Sequence, residues 1–186
     1  MEKTKAQEKF LKVLELLNNC REKLFATYDL FVANLEQTKQ IKVELGEKYE
    51  QLLDLREEYV QLTTSGKPAK MRIAKVRKEA TELKQEHDVQ VTSVDTIMDD
   101  AKSCRNTYKS EIVMCCETYK QLKLKLGEDE RSEKGYKQQV KLVKRILEKI
   151  DTVRTEFKGV KEEIKLQAQM FLELYNKINE NELVLN

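Results

Sequence analysis

The chain has 186 residues, of which 37% are charged, with five glycines, one proline and no tryptophan. This composition is typical of long helices and coiled coils, and it leaves few residues suited to tight turns. The net charge of +2 gives no bias toward nucleic acid or acidic partners, and no apolar run approaches the roughly 18 residues of a membrane-spanning helix.

The first predicted helix runs from about Lys3 to Leu62. Its seven-residue series consists of Phe10, Leu17, Leu24, Phe31, Thr38, Leu45, Leu52 and Tyr59. Such spacing predicts a helix that packs in the manner of a coiled coil. Gly46 lies within it, and we expect a slight bend there rather than a break, because the series continues across the glycine.

A second predicted helix runs from about Pro68 to Leu126. It follows a short segment in which Gly66 permits a reversal and Pro68 suits a first helical turn. Its series is weaker and consists of Ile73, Ala80, His87, Val94, Ala101, Tyr108, Cys115 and Leu122. Gly127 is the predicted closing residue of this helix.

The third predicted helix begins between Asp129 and Ser132 and has the most regular pattern. Its series consists of Tyr136, Val143, Ile150, Phe157, Ile164, Phe171 and Ile178. Two short connections make sequential helices antiparallel neighbours. The sequence therefore predicts a single all-α domain over residues 1–186, an elongated antiparallel three-helix coiled-coil bundle. Its helices cover about 3–62, 68–126 and 130–181, with a short flexible tail at 182–186.

Residues 10–35 carry more apolar side chains than one stripe of a bundle requires. The segment 112–124, their expected neighbour, has a similar surplus, and the next helix adds Leu142 and Ile146. Surplus apolar surface is typical of a binding site for a partner. The candidate interface consists of Leu11, Leu16, Phe25, Leu30, Val32, Val113 and Cys116, with Leu11, Phe25 and Val32 as anchors. The alternative is a bundle that folds over itself and hides them.

Cysteine and histidine are the candidate metal ligands. Cys20, Cys115 and Cys116 could in principle bind zinc, but the spacing of zinc ligands on turns is missing. We expect small core residues in a reduced, cytoplasmic protein, with no metal and no cofactor. The charged N-terminus has no apolar region typical of a secretory signal. His87, the only histidine, is predicted to be a packed or boundary residue without a special role.

A basic segment follows the first connection. The candidate basic surface consists of Lys67, Lys70, Lys75, Arg77, Lys78 and Lys84. Such a band could contact a membrane surface, nucleic acid or an acidic partner. Because the segment has no aromatic residue for base stacking, nucleic acid is not expected, and a solvated face is the favoured interpretation.

No phosphate-binding loop and no nucleophile in a catalytic motif are present, so the chain is not expected to be an enzyme. We expect an interaction or scaffold module that acts by helix packing, with itself as a homodimer or with another coiled-coil protein.

Two alternatives stay open. Three long helices in a chain of this length resemble in outline the crescent-shaped BAR dimers, which implies a peripheral membrane-binding or curvature-sensing dimer. In that family the loop between helices two and three often helps to bind anionic lipid. Here that loop, residues 127–134, has four acidic and two basic residues, which disfavours this alternative. The other alternative is a subunit of an obligate hetero-oligomeric tether or cytoskeletal complex.

Overall fold

The computed structural model describes residues 2–127 and 130–179. It contains α1 (Glu2–Thr64), α2 (Lys70–Thr96), α3 (Asp99–Leu126) and α4 (Glu130–Asn179), and these ranges include no strand. Together α2 and α3 form the predicted second helix, which is bent. The prediction of an all-α three-helix bundle is confirmed. The predicted tail at 182–186 lies outside the described residues.

The bend between α2 and α3 lies at Ile97 and Met98, where the sequence predicts an uninterrupted helix. Just before it, the hydroxyls of Thr92 and Ser93 donate hydrogen bonds to carbonyl oxygens about one turn earlier, at 2.8 and 2.6 Å. Such back-bonding competes with the helical hydrogen-bond ladder and can bend helices, but Thr118 and Thr155 make the same contact where their helices continue, so it does not by itself account for the bend. The apolar series continues across this point, so it does not reveal the bend.

Glycines mark both connections. Gly66 and Gly127 have φ angles of +67° and +71°, in the left-handed region that favours glycine. Gly127 is the C-cap of α3, as predicted. In contrast, α1 continues through Gly46 as a helix.

The helices form two compact units. Among the described residues, unit 1 consists of those within Met1–Asn34 and Met98–Thr155, and unit 2 consists of those within Leu35–Ile97 and Glu156–Asn186. Unit 1 therefore contains α3 together with the first part of α1 and of α4, whereas unit 2 contains α2 together with the later parts of α1 and α4.

In unit 1, aromatic contacts establish the helix directions. The ring of Phe10 lies 5.9 Å from that of Tyr119, and the ammonium group of Lys23 lies 5.4 Å from the centre of the Tyr108 ring. Later residues of α1 therefore meet earlier residues of α3, so the two helices are antiparallel. Tyr119 also stacks on Tyr136 of α4, with ring centres 3.6 Å apart.

Unit 2 repeats this arrangement with α2. Gln90 Nε2 donates a hydrogen bond to Glu44 Oε2 at 2.6 Å, and Arg77 Nη2 donates to the hydroxyl of Tyr59 at 3.1 Å. These two contacts make α1 and α2 antiparallel. The core of unit 2 contains Leu52, Tyr59, Val76, Ala80, Leu83, Phe171, Leu174 and Ile178.

The seven-residue series identify the cores of both units. All eight positions of the first series are buried, including the polar Thr38. In α4 every position from Val143 onward is buried, while Tyr136 is half-buried. One apolar residue was misplaced: Ile146, predicted as surplus surface, is buried in the core, and Leu147 is half-buried beside it.

Candidate functional site

A groove with a volume of about 460 Å³ lies between α1 and α3 in unit 1. Its apolar lining includes Val13, Leu16 and Met114. Val13 is buried, but Leu16 is 51% exposed and Met114 is 66% exposed. Full burial of such a side chain contributes roughly 1.5–3 kcal/mol. Two large apolar side chains beside an open groove therefore leave substantial apolar surface in water.

Lysines form the rim of this groove. Lys9, Lys12 and Lys23 all line it and are exposed, whereas Glu111 is the one carboxylate among the described residues of its lining. Lys9, Leu16 and Lys23 are spaced seven residues apart, so they share one stripe of α1, and Leu30 continues the stripe. The groove is therefore apolar at its floor and positively charged along its α1 rim, whereas the α3 side carries Glu111.

Two thiols lie beneath the groove. Cys20 Sγ donates a hydrogen bond to Glu111 Oε2 at 3.2 Å. Burial and the neighbouring Glu111 carboxylate raise the pKa of the Cys20 thiol to about 12, and burial raises the pKa of Cys115 as well. Because the thiolate is the nucleophile and the metal ligand, protonated thiols are poorly suited to either role.

The four cysteines differ in burial. Cys20 and Cys115 are buried, and Cys104 and Cys116 are half-buried. Within the described residues, no three or more His, Cys, Asp or Glu side chains are grouped to hold a metal ion.

The phenol of Tyr136 lies close to Cys116. Burial, and to a smaller extent the hydrogen bond with Cys116, raises the pKa of this phenol.

A second apolar surface lies on the other side of α1. We call Leu11, Phe25 and Val32 the Phe25 face; Leu11 is 63% exposed, Phe25 is 49% exposed and Val32 is half-buried. Nine residues separate Leu16 from Phe25, and nine residues turn a helix through about 900°, which is half a turn beyond two full turns. The sequence pattern already predicts Leu11, Phe25 and Val32 on one flank of the core stripe and Leu16 and Leu30 on the other, and these flanks are two separate surfaces.

The Phe25 face has its own seven-residue series, in which Asn18 stands between Leu11 and Phe25. Asn18 Oδ1 accepts a hydrogen bond from Arg21 Nη2 at 2.8 Å. A polar residue thus occupies the second of four positions in an otherwise apolar series, as in coiled-coil seams that specify a register.

The remaining predicted interface residues also belong to unit 1. Leu30 and Val113 are exposed, whereas Cys116 is half-buried. Sequence reasoning missed the lysine rim, although the stripe Lys9–Leu16–Lys23 was visible as a seven-residue repeat. An excess of apolar residues does not reveal lysines that alternate with leucines along one stripe of a helix.

The candidate basic surface in unit 2 is divided. Lys67, Lys70, Lys75 and Lys78 are exposed, but Arg77 and Lys84 are half-buried and do not belong to that band. The guanidinium of Arg77 lies 5.4 Å from the centre of the Tyr59 ring, and the ammonium of Lys84 lies 5.6 Å from that of Tyr175. Long side chains can lie along a neighbouring aromatic ring while their charge stays near water, which explains the correction.

Carboxylates interrupt the exposed part of that band. Lys75 and Lys78 form i,i+4 ion pairs with Glu79 and Glu82, at 3.7 and 3.8 Å. Both glutamates also line a groove between α1 and α2 whose other acidic residues are Asp54, Glu58 and Glu86. The basic residues of this part of α2 therefore lie beside acidic ones.

His87 is packed in unit 2, with 2% of its surface exposed. Its ring stacks on Phe171 with centres 3.8 Å apart. Nδ1 lies 3.5 Å from Asp88 Oδ1, and Nε2 has no hydrogen-bond partner among the described residues. Burial lowers the pKa of His87 below its ordinary value of 6.5, against a smaller opposing effect of Asp88.

No known protein family, curated protein or solved structure matches this chain. Among the described helices, none has a stretch long and apolar enough to cross a bilayer.

Proposed function

We propose that this chain is a non-enzymatic interaction or scaffold module that acts by helix packing, and that its Phe25 face binds a second copy of the chain. The observation that carries the proposal is the series Leu11–Asn18–Phe25–Val32 on α1, in which Leu11 and Phe25 are exposed and Asn18 and Val32 are half-buried. The adjacent series of the same helix, which includes Leu17 and Leu24 and lies about 100° away, is already buried in the core.

The pattern of the Phe25 face supports a second copy as the occupant. In a coiled-coil seam, one Asn among apolar residues favours a defined register and number of strands. The neighbouring charges have both signs, with Arg21 beside Glu22 and Asp29. A symmetric contact presents the same surface twice, so a face with both signs can pair with itself.

The cytoplasm is the proposed location. All four cysteines are free thiols, and free thiols are usual in a reducing compartment.

The membrane-binding alternative gains no support from the basic residues of α2, because ion pairs with Glu79 and Glu82 interrupt their exposed band.

The test is the mass of the chain in solution, by light scattering over a range of concentrations. One chain has a mass of 21.9 kDa, and the proposal requires a dimer of twice that mass. Phe25→Asp places a charge in the seam and should produce a monomer with unchanged helix content by circular dichroism. A matched control is Val89→Asp, which changes an exposed apolar residue of α2 in unit 2 and should leave the dimer intact.

A native chain that stays a monomer at every concentration would overturn the assignment. So would a Phe25→Asp variant that keeps the native mass.

A further inference from the structure

The groove between α1 and α3 has a different chemical character from the Phe25 face. Three lysines line it against one carboxylate, Glu111. That carboxylate accepts a hydrogen bond from the Cys20 thiol, which lies on the groove's inner side. An occupant of the groove therefore meets an apolar floor with an excess of positive charge along the α1 side, where all three lysines lie.

The positive and apolar groups alternate with a helical period. Along α1 the order is Lys9, Leu16, Lys23 and Leu30, one residue every seven, and Lys12 lies on the same side. The exposed Met114 faces the same groove from α3. An amphipathic helix bound in a groove between two helices has the same spacing of contacts, because its own apolar residues recur every three or four positions.

A second copy that used this same surface would be a poor occupant. In a symmetric contact the lysines of one copy would face the lysines of the other, and opposed like charges are unfavourable. Carboxylates of a different helix would instead pair with Lys9, Lys12 and Lys23. The surplus charge therefore distinguishes this groove from the Phe25 face.

We infer that the groove between α1 and α3 binds an amphipathic helix whose apolar stripe is flanked by Asp or Glu. This inference rests on the proposed function as an interaction module and names the chemistry of a second partner. In it, Leu16 and Met114 contact the apolar stripe, and Lys9, Lys12 and Lys23 pair with the flanking carboxylates.

The test uses two synthetic helical peptides of equal length, with Leu in the stripe and either Glu or Lys at every flanking position. Binding to the full chain is measured by fluorescence anisotropy. The Glu peptide should bind, more weakly as salt is raised, and the Lys peptide should not. The double variant Lys12→Glu, Lys23→Glu should weaken binding of the Glu peptide by about tenfold or more, equivalent to about 1.4 kcal/mol.

The matched control reverses two lysines of α4 in the same unit, Lys141→Glu and Lys144→Glu, both exposed and outside the groove lining. This variant has the same net charge as the groove variant, so it separates a local effect from a general one. Equal weakening by both double variants would overturn the inference. So would equal binding of the two peptides, or no binding of the Glu peptide.

A final measurement tests whether the native chain and both double variants bind vesicles that contain phosphatidylserine. If the vesicles bind the native chain and the groove variant alone loses that binding, the groove takes an anionic lipid surface and the inference is wrong. The proposed function fails separately, since self-association through the Phe25 face is measured by mass without any peptide or vesicle.

Discussion

Leu16 and Phe25 project from opposite sides of α1, and each keeps about half of its surface exposed. Leu16 lies in a groove whose rim carries three lysines, whereas Phe25 follows Asn18 in a series with charges of both signs nearby. Two half-exposed residues of one helix therefore have different chemical surroundings. This difference is the reason to assign them different partners.

Leu24 and Phe25 are neighbours with opposite expected effects on stability. Leu24 is fully buried, so Leu24→Ala should lower the free energy of unfolding by about 2–5 kcal/mol. Phe25→Ala should change the stability of the monomer by less than about 1 kcal/mol, because its side chain is half-exposed. Urea unfolding at a concentration low enough to keep both variants monomeric measures the difference. Similar losses for the two variants would mean that Phe25 belongs to the core.

The glycines Gly46 and Gly127 should respond to alanine in opposite directions. Gly46 is helical with open space around its Cβ position, so Gly46→Ala should stabilise the chain by about 0.5–1 kcal/mol. Gly127 also has open space, but its φ of +71° strains any residue with a Cβ. Gly127→Ala should therefore destabilise by about 1 kcal/mol. Shifts of both urea midpoints in the same direction would contradict these assignments.

His87 should make stability depend on pH. Burial lowers its pKa in the folded chain below the 6.5 of the exposed group, so the unfolded chain binds the proton more readily. The contribution of neutral His87 is therefore fully present above about pH 6.5 and is lost as pH falls toward the lowered pKa. The charged groups that act on it are Asp88 and Lys84 of α2 and Lys48 of α1.

The variant His87→Leu isolates this effect. It removes the titrating ring and replaces a polar group whose Nε2 lacks a partner within the described residues, so it should reduce the loss of stability below pH 6.5. Urea unfolding of both proteins across this pH range supplies the comparison. Parallel pH profiles would show that the acid dependence arises from other groups.

The cysteines should differ in reactivity. Burial raises the pKa of Cys20 and of Cys115, so little thiolate is present near neutral pH, whereas Cys104 and Cys116 are half-buried. Brief treatment of the folded chain with iodoacetamide should label Cys104 and Cys116 first, as measured by mass spectrometry of peptides. Early labelling of Cys20 would contradict its placement beneath the groove.

The core could be predicted because burial repeats every seven residues. The period placed even Thr38 and His87 inside the bundle, although neither is apolar. The bend at Ile97 and Met98 could not be predicted in the same way. Near the bend, side-chain hydroxyls compete for backbone carbonyl oxygens. The spacing of apolar residues reports which face of a helix is buried and does not report such local hydrogen bonds.

The candidate surfaces could be predicted only in part. An excess of apolar residues pointed to Leu16 and Phe25 and placed them on different flanks of the core stripe, but it assigned both to one interface. The three lysines become part of a candidate site only because they line the groove between α1 and α3. That groove forms when the two helices pack, so the sequence pattern of α1 alone does not show it. In the same way, Arg77 and Lys84 do not belong to the predicted basic surface, because their charged groups contact the rings of Tyr59 and Tyr175.

The central claim is that α1 uses opposite sides for two partners, and the affinity of Phe25→Asp for the Glu-flanked peptide tests it most directly. The substitution should produce a monomer, while the groove on the other side of the helix keeps its lysines and its apolar floor. The account predicts that this variant binds the peptide with a Kd within about twofold of the native value, less than the tenfold that about 1.4 kcal/mol would produce. A loss of peptide binding together with the loss of the dimer would contradict it, because the two surfaces would then act as one.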